Sequence, residues 1–177
     1  MNLPNKLTVA RIVLVPFFVI ALIAPLGLPG QKWIALILFA IACITDYFDG
    51  KIARERNLIT VFGIFMDPLA DKLLVSAALV CLSSMQIVPV WMTVVIISRE
   101  FVVSGLRLIA AEHDVVIAAA KSGKAKTVLQ MFAIMFAIAN IPTLSTITNL
   151  LLWLAVIAAV VSAAEYIYKN RDLLQDM

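Results

Sequence analysis

Charge is scarce in this sequence. Only 14% of its 177 residues are Asp, Glu, Lys or Arg, while 63% are hydrophobic. A soluble domain carries about a quarter charged residues and under half apolar ones, so the balance excludes a water-exposed surface. Cysteine is nearly absent. Cys43 and Cys81 both fall inside apolar runs, where a thiol behaves as a small buried apolar group and no disulfide is expected. There is no long basic tract, no Pro/Ser-rich linker, no low-complexity segment and no internal repeat. The expectation is a single domain over residues 1–177 with no nucleic-acid partner. A small-x-small cleavage pattern is also missing after the first apolar run, which is therefore expected to remain as a helix rather than leave as a signal peptide.

What is present is hydrophobicity in long stretches, the mark of membrane-spanning helices surrounded by lipid. The runs predict an all-α membrane protein with six transmembrane helices, near 8–27, 32–49, 64–84, 88–109, 123–141 and 147–168. Breakers separate them: Pro25, Gly27, Pro29 and Gly30, then Pro89, then Pro142. Lys6 and Arg11 precede or open the first run, Lys51, Arg54 and Arg56 follow the second, Arg107, Lys121, Lys124 and Lys126 lie between the fourth and fifth, and Lys169 and Arg171 follow the sixth. Only Lys32 falls on the other side. By the positive-inside rule, both termini face the cytoplasm in a multi-pass protein of the cell membrane. Trp33, Trp91 and Trp153 each open a run on the outer side, where indoles favour the interface. Glu165, Tyr166 and Tyr168 at the inner end of the last run read as interfacial anchors.

Four carboxylates break the apolar pattern. Asp46 and Asp49 are three apart at the end of the second run, and share a face if the helix continues; Asp67 and Asp71 are four apart at the start of the third. A carboxylate at hydrocarbon depth costs on the order of 2.5–3.5 kcal/mol on insertion scales, so it faces a cavity and a partner. Four together would repel one another into protonation. Hard divalent cations relieve both problems, and oxygen donors suit Mg2+ or Mn2+. Two such ions would balance four carboxylates, a site matched to displacement at phosphorus.

Asp46-x-x-Asp49-Gly50-x-x-Ala53-Arg54 followed by Gly63-x-x-x-Asp67-x-x-x-Asp71 resembles the signature of the CDP-alcohol phosphotransferases at every fixed position, and the likeness extends over nearly the whole chain. The resemblance implies that Asp46, Asp49, Asp67 and Asp71 bind metal and that Asp71 takes the proton from an acceptor hydroxyl. It places Gly50, Ala53, Arg54 and Thr60 around a CDP-linked lipid, CDP-diacylglycerol. Pro4-Asn5-Lys6-Leu7-Thr8 looks like the family's N-terminal element, making Asn5 and Thr8 candidate cytidine contacts, with helix capping as their alternative. Gly50 permits close backbone approach, or ends a helix; Arg54 offers a charge-assisted donor to phosphate. The resemblance also implies a homodimer.

A second set of charges bears on the acceptor. Arg99, Val103 and Arg107 follow a four-residue step along one helix face, and Lys121, Lys124, Lys126 and Gln130 open the fifth run. Basic groups at a helix start form an anion site, which predicts an anionic acceptor such as glycerol 3-phosphate held by Arg99, Arg107, Lys121, Lys124 and Lys126. These runs are similar to those of the family branch that uses that acceptor. Glu100 is expected to pair with a basic neighbour rather than do chemistry. The nearest alternatives are family members with other acceptors: phosphatidylglycerol in cardiolipin formation, serine or inositol phosphate. A cation transporter would leave Arg54 and the basic set without purpose, and the adjacent aspartates of prenyl-diphosphate enzymes are missing.

Overall fold

A computed structural model describes residues 2–25, 27–55, 60–112 and 121–169. Among them the chain forms helices α1 (Leu3–Ile23), α2 (Gln31–Glu55), α3 (Val61–Ser84), α4 (Val90–Glu112), α5 (Lys121–Ala139) and α6 (Ser145–Lys169), with a 3-10 turn at Pro142–Leu144 and no strand. Two apolar stretches, Asn5–Ile23 and Pro142–Lys169, are long and apolar enough to cross a membrane.

The helix ends follow local chemistry. α1 starts five residues earlier than the hydropathy suggests, because Pro4 in the first turn lacks an N–H the helix does not need there. It stops at Ile23 because Ala24 precedes Pro25 and is pushed into extended backbone. α2 runs through Asp46, Asp49 and Gly50 to Glu55, so Gly50 is a helix-interior residue and not a helix end. α3 is opened by Thr60, whose hydroxyl accepts the Gly63 N–H at 3.1 Å.

Two compact units divide the chain: Met1–Ile87 with Ile134–Asn140, and Val88–Ala133 with Ile141–Met177. In the first, α1 and α2 form an antiparallel hairpin. Phe18 meets Phe39 at 5.7 Å between ring centroids, and Gln31 Nε2 donates to the Ala21 carbonyl at 2.9 Å. Phe18, Phe39, Leu74, Leu79 and Leu82 are fully buried there. α1 and α3 run parallel, since Asn5 meets Thr60 and Thr8 meets Asp67. The start of α1, the far part of α2 and the start of α3 therefore gather at one end of this unit.

In the second unit α4 and α6 run side by side in the same direction. Trp91 contacts Trp153 at 5.2 Å, Arg99 contacts Ser162, and Arg107 lies over Tyr166. Both partners advance together along the chain, which fixes the parallel sense. Tyr166 is only 5% exposed, so it is a buried packing partner of Arg107 rather than the interfacial anchor its position suggests.

Candidate active site

α1 buries one face along its length, and that face changes chemistry. Asn5, Thr8 and Arg11 line its first half; Val15, Phe18 and Leu22 continue it. The spacing of three and four keeps all six on one stripe. Three polar groups inside a packed face must find partners, and they do so on the two acidic helices. The Thr8 hydroxyl donates to Asp67 Oδ1, and Arg11 Nη1 donates to Asp46 Oδ1. Asn5 Oδ1 accepts from the Thr60 hydroxyl at 2.8 Å. Asn5 and Thr8 sit within α1 and do not cap it; Asn2 is the N-cap residue of α1, and Thr60 caps α3.

Asp46 and Asp67 interact electrostatically, and Cys43 feels both Asp46 and Asp71. Three of the four aspartates thus share one end of the unit. The side chains of Asp49, Gly50, Ala53 and Arg54 lie outside the described residues, although α2 carries all four positions. Gly63 adds a further feature. A Cβ there would meet Asp67 Oδ2 and Thr60 Oγ1 at 3.4 Å and Asn5 Oδ1 at 3.5 Å. Its missing side chain leaves a recess walled by three oxygens.

Among the described residues no three His, Cys, Asp or Glu side chains are drawn together closely enough to hold a metal; Asp46 is held by Arg11 and Asp67 by Thr8 instead. The atoms around that recess are oxygens, the donor type a hard cation takes in preference to a soft one, with Asp67 the one carboxylate among them.

The second unit carries the cationic set. Arg99 donates to Ser162 Oγ from Nε at 3.1 Å and from Nη2 at 2.8 Å, and its Nη1 lies 3.6 Å from Glu100 Oε2. Glu100 also pairs with Lys126 of α5, as expected of a carboxylate among cations. Lys126 is 1% exposed, so burial without that carboxylate would strand its charge. Arg107 is exposed, with its guanidinium 5.6 Å from the Tyr166 ring centre. Arg99, Arg107 and Lys126 against Glu100 leave a formal charge of about +2, which matches a phosphate monoester dianion. The side chains of Lys121 and Lys124 lie outside the described residues.

Residues 1–161 match the family model for CDP-alcohol phosphatidyltransferase. The chain belongs to that family. Family membership and the two long apolar helices make it a membrane-associated protein. A Bacillus subtilis CDP-diacylglycerol–glycerol-3-phosphate 3-phosphatidyltransferase is 46% identical to it, over 98% of this chain and 97% of the relative. Proteins of the same name from Rickettsia bellii and Haemophilus influenzae are 39% and 37% identical, over 93% and 99% of this chain and 93% and 96% of theirs. As a CDP-alcohol phosphatidyltransferase, the chain places its acidic signature on α2 and α3, as the spacing requires.

Two contributors were missed by sequence reasoning. Arg11 reads as a topology marker, yet it is 3% exposed and bonded to Asp46. Its position three after Thr8 and six after Asn5, on one stripe, was the available signal. Ser162 lies in an apolar run and carries no signal at all; only the α4–α6 contact reveals it.

Proposed function

We propose that this phosphatidyltransferase moves the phosphatidyl group of CDP-diacylglycerol to sn-glycerol 3-phosphate, giving phosphatidylglycerophosphate and CMP. The observation that carries the reading is that relatives matched over 93% to 99% of this chain share that one activity in their names. The cationic set of about +2 supports a dianionic acceptor over phosphatidylglycerol or serine.

Asp46, Asp49, Asp67 and Asp71 would hold two divalent ions, Mg2+ or Mn2+. Bound there, such ions neutralise charge on the diphosphate of the donor lipid. Thr8 orients the Asp67 carboxylate through its hydroxyl. Asn5, Gly50, Ala53, Arg54 and Thr60 lie around the nucleotide. Arg99 and Arg107 take the acceptor's phosphate, with Lys126, Lys121 and Lys124 adding positive potential. Asp71 accepts the proton of the primary hydroxyl as its oxygen bonds to the lipid-side phosphorus. The bond from that phosphorus to the CMP oxygen breaks, and CMP leaves.

All six helices, at 19 to 25 residues, are close to or above the roughly 20 needed to cross a bilayer. Six crossings put both termini in the cytoplasm, on the side of the water-soluble acceptor. Purified protein supplied with CDP-diacylglycerol and each acceptor in turn should release CMP fastest with glycerol 3-phosphate; faster release with inositol phosphate or phosphatidylglycerol refutes the assignment.

Ser162 fixes the direction of the Arg99 guanidinium. Ser162→Ala should raise KM for glycerol 3-phosphate about fivefold to tenfold, the net worth of one ordinary hydrogen bond, since Ser162 acts on the acceptor only through Arg99. KM for CDP-diacylglycerol should stay at its wild-type value, and Ser162→Thr, which keeps a hydroxyl, should restore most of the loss. Equal changes for both substrates would make Ser162 a packing residue only.

A further inference from the structure

On α5, Gln130 stands one turn beyond Lys126. The two are 3% and 1% exposed, and a step of four puts them on the same helix face. That face meets α4, since Lys126 pairs with Glu100, which itself lies beside Arg99. Lys126 therefore has its counter-charge from within the protein. Gln130 differs: its Oε1 is buried and finds no hydrogen-bond partner among the described residues.

A buried amide oxygen without a partner costs free energy that a methionine of similar volume would avoid. Such an atom calls for a donor from a ligand. In the reading above, the acceptor's phosphate is taken by cations and its primary hydroxyl is the nucleophile. Its secondary hydroxyl is left over. A hydroxyl both donates and accepts, so either end of the Gln130 amide serves it.

We propose that Gln130 is a specificity-determining residue whose amide hydrogen-bonds the secondary hydroxyl of the acceptor, selecting a polyol monophosphate over a simple alkanol monophosphate. The inference rests on the glycerol 3-phosphate reading and adds to it the group that recognises the carbon skeleton. An apolar wall rejects a missing hydroxyl poorly, whereas a buried amide left unpaired by the wrong substrate rejects it strongly.

The probes are glycerol 3-phosphate and 3-hydroxypropyl phosphate, which keeps the phosphate and the primary hydroxyl but lacks the secondary one. CMP release is followed with CDP-diacylglycerol in mixed micelles. The wild-type protein should prefer glycerol 3-phosphate in kcat/KM by about tenfold or more. Gln130→Met should bring the two acceptors to within about twofold, through loss on glycerol 3-phosphate alone, with KM for CDP-diacylglycerol unchanged. A variant that keeps the wild-type ratio overturns the proposal, as does a wild-type protein that treats both acceptors alike. Thermal protection of the wild-type protein by each phosphate provides a second measurement that needs no variant: glycerol 3-phosphate should raise Tm at about tenfold lower concentration, and equal protection overturns the proposal. A wild-type protein that releases no CMP with glycerol 3-phosphate refutes the acceptor assignment itself, and the inference with it.

Discussion

Asp71→Asn should leave a folded protein whose CMP release is lower by roughly 10²- to 10⁴-fold, the usual contribution of a positioned general base. Asp71 lies one turn after Asp67 on α3, within the helix Val61–Ser84. Asparagine matches aspartate in size and keeps one carbonyl oxygen, so packing is preserved. It cannot take up a proton at working pH, and it contributes no negative charge to a cation. The loss should therefore appear in kcat, with KM for glycerol 3-phosphate little changed, because the proposed base acts on the hydroxyl and not on the phosphate. Circular dichroism and size-exclusion profiles like those of the wild-type protein would establish that folding is intact. Near-normal turnover in such a sample removes Asp71 from the role of base.

The second large effect concerns stability. Asp46→Ala should destabilise the protein by about 3–5 kcal/mol, the cost of breaking a buried ion pair from one side. Arg11 is 3% exposed and cannot release its charge to water. The reverse change, Arg11→Met, should cost less, since the Asp46 side chain retains 31% exposure and can be hydrated in part. Replacing both, Asp46→Ala with Arg11→Met, should recover much of the stability lost by Asp46→Ala alone, because no unpaired charge remains. Unfolding in a fixed detergent checks this independently of turnover, which all three variants are expected to lose or reduce. Additive losses in the double variant would show that the pair is not coupled, and would leave Arg11 as a local packing residue.

These two predictions differ in how early they could be made. The Asp71 prediction needs only the order of the chain: its place in Gly63-x-x-x-Asp67-x-x-x-Asp71, whose resemblance to the family signature implies the role of base. The Asp46 prediction does not. Arg11 and Asp46 are 35 positions apart, and Thr8 and Asp67 are 59 apart. Their pairing depends on α1 folding back along α2 while lying parallel to α3. Hydropathy placed the six helices to within a few residues, with the larger errors at α1, whose polar first turn looks like a flank, and at α2, whose charged last turns look like a loop. A helix whose polar face is answered by partners on its neighbours is invisible to a hydropathy window.

The same division holds in the second unit. Arg99, Val103 and Arg107 are legible as one face of α4 because helical spacing is local. That the face is received by Ser162 and Tyr166 requires the parallel docking of α6, 63 positions downstream for the Arg99–Ser162 bond. Gln130 shows the point most sharply: its place after Lys126 is plain in the sequence, but only burial makes its unanswered amide informative.

By itself, then, the sequence determined that this is an apolar helical chain with two acidic pairs and a basic set at spacings that share helix faces. It could do so because periodicity and composition are properties of neighbouring residues. Which cation answers Asp46, which hydroxyl aims Arg99 and which amide is left for a ligand were decided by tertiary packing. Helix docking brings residues dozens of positions apart into contact, and burial sets the energetic cost of each polar group that the contact leaves paired or unpaired.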